Sequence, residues 1–296
     1  MPKEKKTKAG VWALTVKLGT KGLSILAKLF KLTKVGFALA SFAGYALLFS
    51  WKFALLLMIA VGFHESGHVW AMKRMGIKTK GFYFLPFIGG AAIAEEQYKT
   101  YGENAYIAIM GPIWGLAMAF GAACLYWFTG NPLWAAAGAW MSTLNLFNLL
   151  PVNPLDGGQL MRSIAFSINK TLGVVFLGFS LLAGGLIMWK FHIYLFAILL
   201  AVGALELALE LNARKKLHYY QQGWIEAIEL PKSMLEITYA ADFTRNIKVK
   251  HYPTDMNWKQ LSLTFLSYVG TCAGLVAILY ALQHVPGADL AKNFFE

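Results

Sequence analysis

Residues 53–75, FALLLMIAVGFHESGHVWAMKRM, constrain this chain more than any other stretch. The run is apolar and long enough to cross a bilayer as one helix, for which about 20 residues suffice. Yet His64, Glu65 and His68 sit near its middle. An ionisable side chain at that depth costs about 2.5–3.5 kcal/mol on insertion scales, so its presence there points to function. The spacing is His-Glu-x-x-His. On a helix, positions four apart lie one above the other on the same face, so both imidazoles can ligate a single ion. Glu65 stands beside them, where a carboxylate can act as base on a water at the metal site. Two buried histidines satisfied by neighbouring helices would account for the imidazoles but not for the glutamate.

The rest of the chain agrees with a membrane setting. Of its 296 residues, 57% are hydrophobic and 14% charged, and further apolar runs of span length follow the first. This composition predicts an all-α polytopic membrane protein. A net charge of +12 would suit nucleic acid, but the positions of the lysines suit an anionic membrane surface better, and no nucleic-acid partner is expected. Residues 1–34 hold nine lysines and one glutamate. Lys17, Lys21, Lys28 and Lys31 share one helical face, and Trp12, Val16, Leu18, Leu23, Leu26, Leu29 and Phe30 cover the remainder. That pattern predicts a basic amphipathic helix on an anionic cytoplasmic leaflet. The lysine-rich start runs past any plausible cleavage site, so no cleavable leader is expected. Cys124 and Cys272 fall in apolar runs and read as small packing residues.

About seven spans are expected, near 35–51, 53–75, 104–128, 132–150, 172–189, 191–211 and 261–283. With the N-terminus in the cytoplasm, all but Lys52, Lys190 and Lys292 of the 27 Lys and Arg fall inside, as the positive-inside rule requires. The second span then ends at Lys73-Arg74 on the cytoplasmic side. At about 1.5 Å per residue, His68 lies about 8 Å and His64 about 14 Å from that end. The chain divides into a basic membrane-surface segment (1–34), a six-helix membrane domain (35–211) with its catalytic core at 53–160, a cytoplasmic segment (212–260) and a C-terminal span (261–283). His218 and His251, in the cytoplasmic segment, read as surface residues.

Two further stretches carry chemistry. Residues 82–94, FYFLPFIGGAAIA, are apolar but too short to span as a helix. Pro86 and the Gly89-Gly90 pair predict a short membrane-embedded β-hairpin between the second and third spans, turning at the glycines. The fourth span ends in NLFNLLPVNPLDGGQ, where prolines stop the helix and Gly157-Gly158 allow a tight turn beside Asp156. This end reaches the same side as His64 and His68. A catalytic metal takes three protein ligands and an open position, and Asp156 is the best third candidate. Glu206 and Glu210 compete for that role, and a helix-capping role for Asp156 is the structural alternative. Gly111-Pro112 and Gly115 in the third span permit close helix approach.

Taken together, HESGH at 64–68, PFIGGAA at 86–92, MGPIWG at 110–115 and NLLPVNPLDGG at 148–158 resemble the site-2 protease family of intramembrane zinc metalloproteases, including its bacterial sporulation-type members. The match covers most of 53–160. The resemblance implies one Zn²⁺ held by His64, His68 and Asp156, with Glu65 as general base. It implies that Asn148 helps position substrate, and that the hairpin, through Gly89, Gly90, Ala91 and Ala92, receives the substrate strand. A transmembrane protein substrate and a prokaryotic cell membrane are further implications, with the active site toward the cytoplasm. Family members often have Asn where this chain has Gly115. The rival expectation is a non-catalytic metal-binding protein, transporter or pseudoprotease, for which Glu65 has no evident use. A prenyl-protein type of metalloprotease is disfavoured by LDGG.

Overall fold

The computed structural model describes residues 33–86, 89–96, 98–192, 197–209, 211 and 255–286. All but the last two residues of the basic segment lie outside this set, as do 212–254 and the side chain of Glu210. The described chain runs α1 (Thr33–Leu48), α2 (Trp51–Arg74), β1 (Thr79–Leu85), β2 (Gly89–Ala94), α3 (Tyr101–Thr129), α4 (Pro132–Asn148), α5 (Asp156–Ile168), α6 (Lys170–Phe191), α7 (Ala197–Leu209) and α8 (Trp258–Gln283).

Local sequence sets most of the boundaries. Ser50 caps α2 by accepting from the Phe53 N–H, and Lys73 and Arg74 close it, where the helix dipole favours cations. Thr100 and Glu103 form a capping box at the start of α3, and left-handed Gly130 ends that helix. Asn131 and Pro132 start α4. Asn257 and Gln260 form a second capping box at α8.

Each expected span coincides with a helix, but the helices are of two kinds. Among the described residues, four are long and apolar enough to cross a membrane: α2, α3, α6 over Lys170–Lys190, and α8. The helices α1 and α4 have only 16 and 17 residues, which gives about 25 Å against a hydrocarbon core of about 30 Å. Helix α7 is also short.

The core forms around α3, which packs against α2, α4, α5 and α8. Small residues make these approaches close: Ala105, Ala108, Ala119, Ala122 and Ala123 of α3 and Ala135, Ala136, Ala137 and Ala139 of α4 belong to one buried cluster. Small side chains let helix backbones come together where no large one would fit. One close crossing is at Gly67 of α2, where a Cβ would overlap the Met110 carbonyl and the Trp114 ring of α3. Helix α8 also donates a hydrogen bond from the Tyr268 hydroxyl to the Leu149 carbonyl at 2.8 Å. The chain just before α8 docks as well: Met256 is buried, and its N–H donates to Ser167 Oγ at 3.1 Å. Both cysteines are free and half-buried.

The hairpin is antiparallel, with Phe82 opposite Ala92 and Leu85 opposite Gly89. It lies against α1 and α2. Lys34 of α1 donates to the Lys80 carbonyl and sits over the Tyr83 ring, 4.8 Å from its centroid. The turn, however, is not at the glycines. Gly89 and Gly90 are the first residues of β2, opposite Leu85 and Phe84 of β1. The reason is steric: a Cβ at Gly90 would lie 2.5 Å from Glu65 Cγ and 2.8 Å from Glu65 Oε1. The glycine is needed for contact with α2 and not for the turn.

If the α2–α3 crossing holds the core together, Gly67→Ala should cost about 1–3 kcal/mol through overpacking. A clear drop in melting temperature in detergent is expected, and an unchanged one would mean the two helices separate freely.

Candidate metal centre

Helix α2 presents His64 and His68 one turn apart on its buried face, and both are under a tenth exposed. Asp156 comes from the far side of the bundle as the first residue of α5. Its position at a helix N-terminus suits a carboxylate, because free backbone N–H groups and the helix dipole point toward it. The Asp156 Oδ2 atom lies 2.9 Å from His64 Nε2 and 3.4 Å from His68 Nε2, and the two Nε2 atoms are 3.1 Å apart. Among the described residues these three form the candidate metal-binding group.

The hydrogen bonds behind the rings decide what the three atoms can do. Asn145 donates its Nδ2 to the Met141 carbonyl at 2.7 Å, which turns its Oδ1 toward His64 Nδ1 at 2.8 Å. An amide oxygen only accepts, so Nδ1 carries the proton. His68 Nδ1 faces the Ile107 carbonyl at 2.7 Å and is protonated for the same reason. Neutral imidazoles held this way both aim an unprotonated Nε2 at Asp156. Three electron-pair donors then face one another across about 3 Å, an arrangement that repels itself unless a cation sits among them. A tetrahedral ion with ligands at about 2.0–2.1 Å places them about 3.3 Å apart. The observed separations bracket that value, so the residues fit a metal.

Space for these side chains is cut from α3. A Cβ at Gly111 would overlap His68 Nε2 and lie 2.8 Å from His64 Nε2, while one at Gly115 would overlap the Asn145 amide. Gly115, noted as a departure from the family pattern, is thus the hole that Asn145 fills. Asn145 opens the NLFNLLPVNPLDGGQ run, but the sequence alone assigned it no role. The signal was its spacing, three residues before Asn148 on α4. Asn148 points its Nδ2 at the same centre, 3.4 Å from His64 Nε2.

Glu65, buried on the same helix, lines a cavity of about 510 Å³ together with His64, His68, Asp156 and Asn148. Gly89, Gly90, Ala91 and Ala92 form another part of its wall. The Ala92 backbone lies on the side of β2 that faces the Glu65 carboxylate. In an antiparallel ladder alternate residues point away from the partner strand, and so the outer edge of β2 faces into the cavity. Glu206, a competing ligand in the sequence, is not in the cluster: it pairs with Arg162.

Comparison with known proteins falls on this region. Residues 52–136 match the profile of Peptidase family M50, which bears out the resemblance to the site-2 protease family. A zinc metalloprotease of Methanocaldococcus jannaschii is 31% identical over 152 residues, 45% of this chain and 44% of the relative. A relative in Synechocystis sp. is 33% identical over 129 residues, 41% of this chain and 34% of its own length. The chain therefore matches less than half the length of these relatives. A solved site-2 protease from M. jannaschii aligns at 26% identity and a TM-score of 0.41, over 60% of this chain and 86% of that one.

If Asn145 sets the His64 tautomer, Asn145→Leu keeps the volume and removes the acceptor. Metal affinity, read by competition with a chelator, should fall about 10- to 100-fold, as is usual when such a partner is lost. Wild-type affinity would show that the tautomer is set elsewhere.

Proposed function

We propose that this chain is an intramembrane zinc metalloprotease that hydrolyses peptide bonds within or near the transmembrane segments of other membrane proteins. The observation that carries the reading is the convergence of His64, His68 and Asp156 beside a buried general base and an open strand edge. Zinc is the metal in the name of the M. jannaschii relative, and two imidazoles with one carboxylate are a donor set it commonly takes in catalytic sites. When bound there, zinc would polarise a peptide carbonyl and make water acidic enough to attack at neutral pH.

The chain's own groups supply the rest. Glu65 takes the proton of the attacking water and returns it to the leaving amine. Asn148 aims an amide N–H at the reacting centre, where it can hold the substrate carbonyl. A helical substrate has its backbone groups engaged and must unwind before attack. The outer edge of β2, over Gly89–Ala92, can pair with the unwound segment and fix its register, as in other strand-addition complexes.

For the whole molecule the reading has seven spans, with α1, α4 and α7 crossing beside the four longer helices. The N-terminus and the active site face the cytoplasm, as the lysine distribution favours. The basic segment 1–34 lies on the anionic leaflet, 35–211 forms the protease domain, and the hairpin sits within the membrane against α1 and α2.

Two experiments test this. Comparing membrane-protein fragments from cells carrying the wild-type chain or Glu65→Gln identifies cleaved substrates. On such a substrate, purified Glu65→Gln should hold about one zinc per chain and turn over about 10²- to 10⁴-fold more slowly. Cleavage near the wild-type rate would end the proposal. The strand edge is tested by Ala92→Pro, which removes a backbone donor from β2. Zinc content should stay near wild type and cleavage of the membrane-spanning substrate should fall severely, with a smaller loss on a short extended peptide. Equal losses on both substrates would mean that Ala92 serves only to orient Glu65.

A further inference from the structure

Asp156 reaches the two histidines from a turn that α4 and α5 alone do not hold. The turn before it contains Asn153, which is fully buried and bonded to two other helices. Its backbone N–H donates to Ser180 Oγ of α6 at 2.6 Å, and its side-chain Nδ2 donates to Glu206 Oε2 of α7 at 2.6 Å. The other oxygen of Glu206 pairs with Arg162, which lies in α5 about one and a half turns past Asp156. Arg162 is itself buried and also donates to the Tyr98 hydroxyl at 2.7 Å. One carboxylate thus grips the chain on both sides of the ligand, three residues before it and six after.

Two details show that the grip is specific. The Oδ1 atom of Asn153 has no partner among the described residues. Reversing the amide would set that oxygen against a carboxylate oxygen, so Glu206 fixes which way Asn153 faces. Gly203, less than one turn before Glu206, lies so close to the loop that a Cβ there would be 3.0 Å from the Asn153 carbonyl oxygen. Helix α7 is therefore seated directly on the turn that carries Asp156.

We propose that Glu206 is a positioning residue: through Asn153 and Arg162 it holds the Asp156 carboxylate at the distance from His64 and His68 that the metal requires. The inference rests on the reading of Asp156 as a metal ligand.

The alternative is that Glu206 merely neutralises a buried arginine. Glu206→Leu alone would strand that charge and could prevent folding. The decisive variant is the double substitution Arg162→Met and Glu206→Leu, which removes both charges and the acceptor for Asn153 while keeping the volume apolar. Full-length wild type, the double variant and Asp156→Ala are purified in detergent. Each is scored for thermal stability without metal and for zinc affinity and zinc release rate against a chelator. The expected result is a double variant that melts as wild type does, binds zinc about 10- to 100-fold more weakly and releases it faster. Wild-type zinc affinity in the double variant would overturn the proposal, and so would failure of that variant to fold, since either makes the role purely structural. Asp156→Ala separates the two levels. If it keeps wild-type zinc affinity, the ligand assignment itself falls. If it loses zinc while the double variant does not, the positioning role alone falls.

Discussion

Three electron-pair donors held about 3 Å apart inside the helix bundle are the constraint on which the rest of this structure depends. Such a cluster is unfavourable by itself, and each member must be kept in place by bonds made behind it. Asn145 and the Ile107 carbonyl serve the imidazoles from α4 and α3. The Asp156 carboxylate sits on the start of α5, where the helix end favours negative charge. Four separate helices must therefore meet within a few ångströms of one point. That requirement explains the glycines better than flexibility does. Gly67 brings α2 onto α3, while Gly111 and Gly115 open α3 to the imidazoles and to Asn145.

The half of the site on α2 was legible in the sequence because its geometry is local. A spacing of four on a helix fixes the relation of His64 to His68 whatever the rest of the chain does. Asp156 was legible for another reason: the two prolines and two glycines around it mark a turn, and an acid at the mouth of an apolar bundle needs a purpose. The sequence already favoured it over Glu206, and the structure adds a reason that local pattern does not reveal: Glu206 pairs with Arg162, 44 positions earlier.

The errors share a cause. The Gly-Gly pair was read as a turn because glycines usually mark turns, but Gly90 is there to accommodate Glu65, which lies 25 residues earlier on another element. Asn145 passed without a role because its meaning depends on His64 and on the hole at Gly115, both distant in sequence. In each case the deciding contact was between elements, and a periodicity or propensity argument carries no term for it.

The irregular stretch between α4 and α5 shows how the fold tolerates non-helical backbone beside an apolar bundle. Exposed peptide groups in such surroundings cost several kcal/mol each, so they must find protein partners or water. Here the Leu149 carbonyl accepts from Tyr268, the Leu150 carbonyl from Val152, the Val152 carbonyl from Leu155 and the Pro154 carbonyl from Gln159. Glycines at 157 and 158 allow this packing, since a Cβ at either would overlap the backbone of Leu149 or of Val152 and Asn153. The loop is thus folded onto itself and pinned by α6, α7 and α8, and only its end, from Pro154 to Asp156, lines the cavity. A carboxylate presented by an open loop would lose conformational freedom on meeting a metal. Presented by this one, Asp156 has already lost most of it during folding, and that prior ordering is what allows a single turn of chain to serve as one third of a metal site.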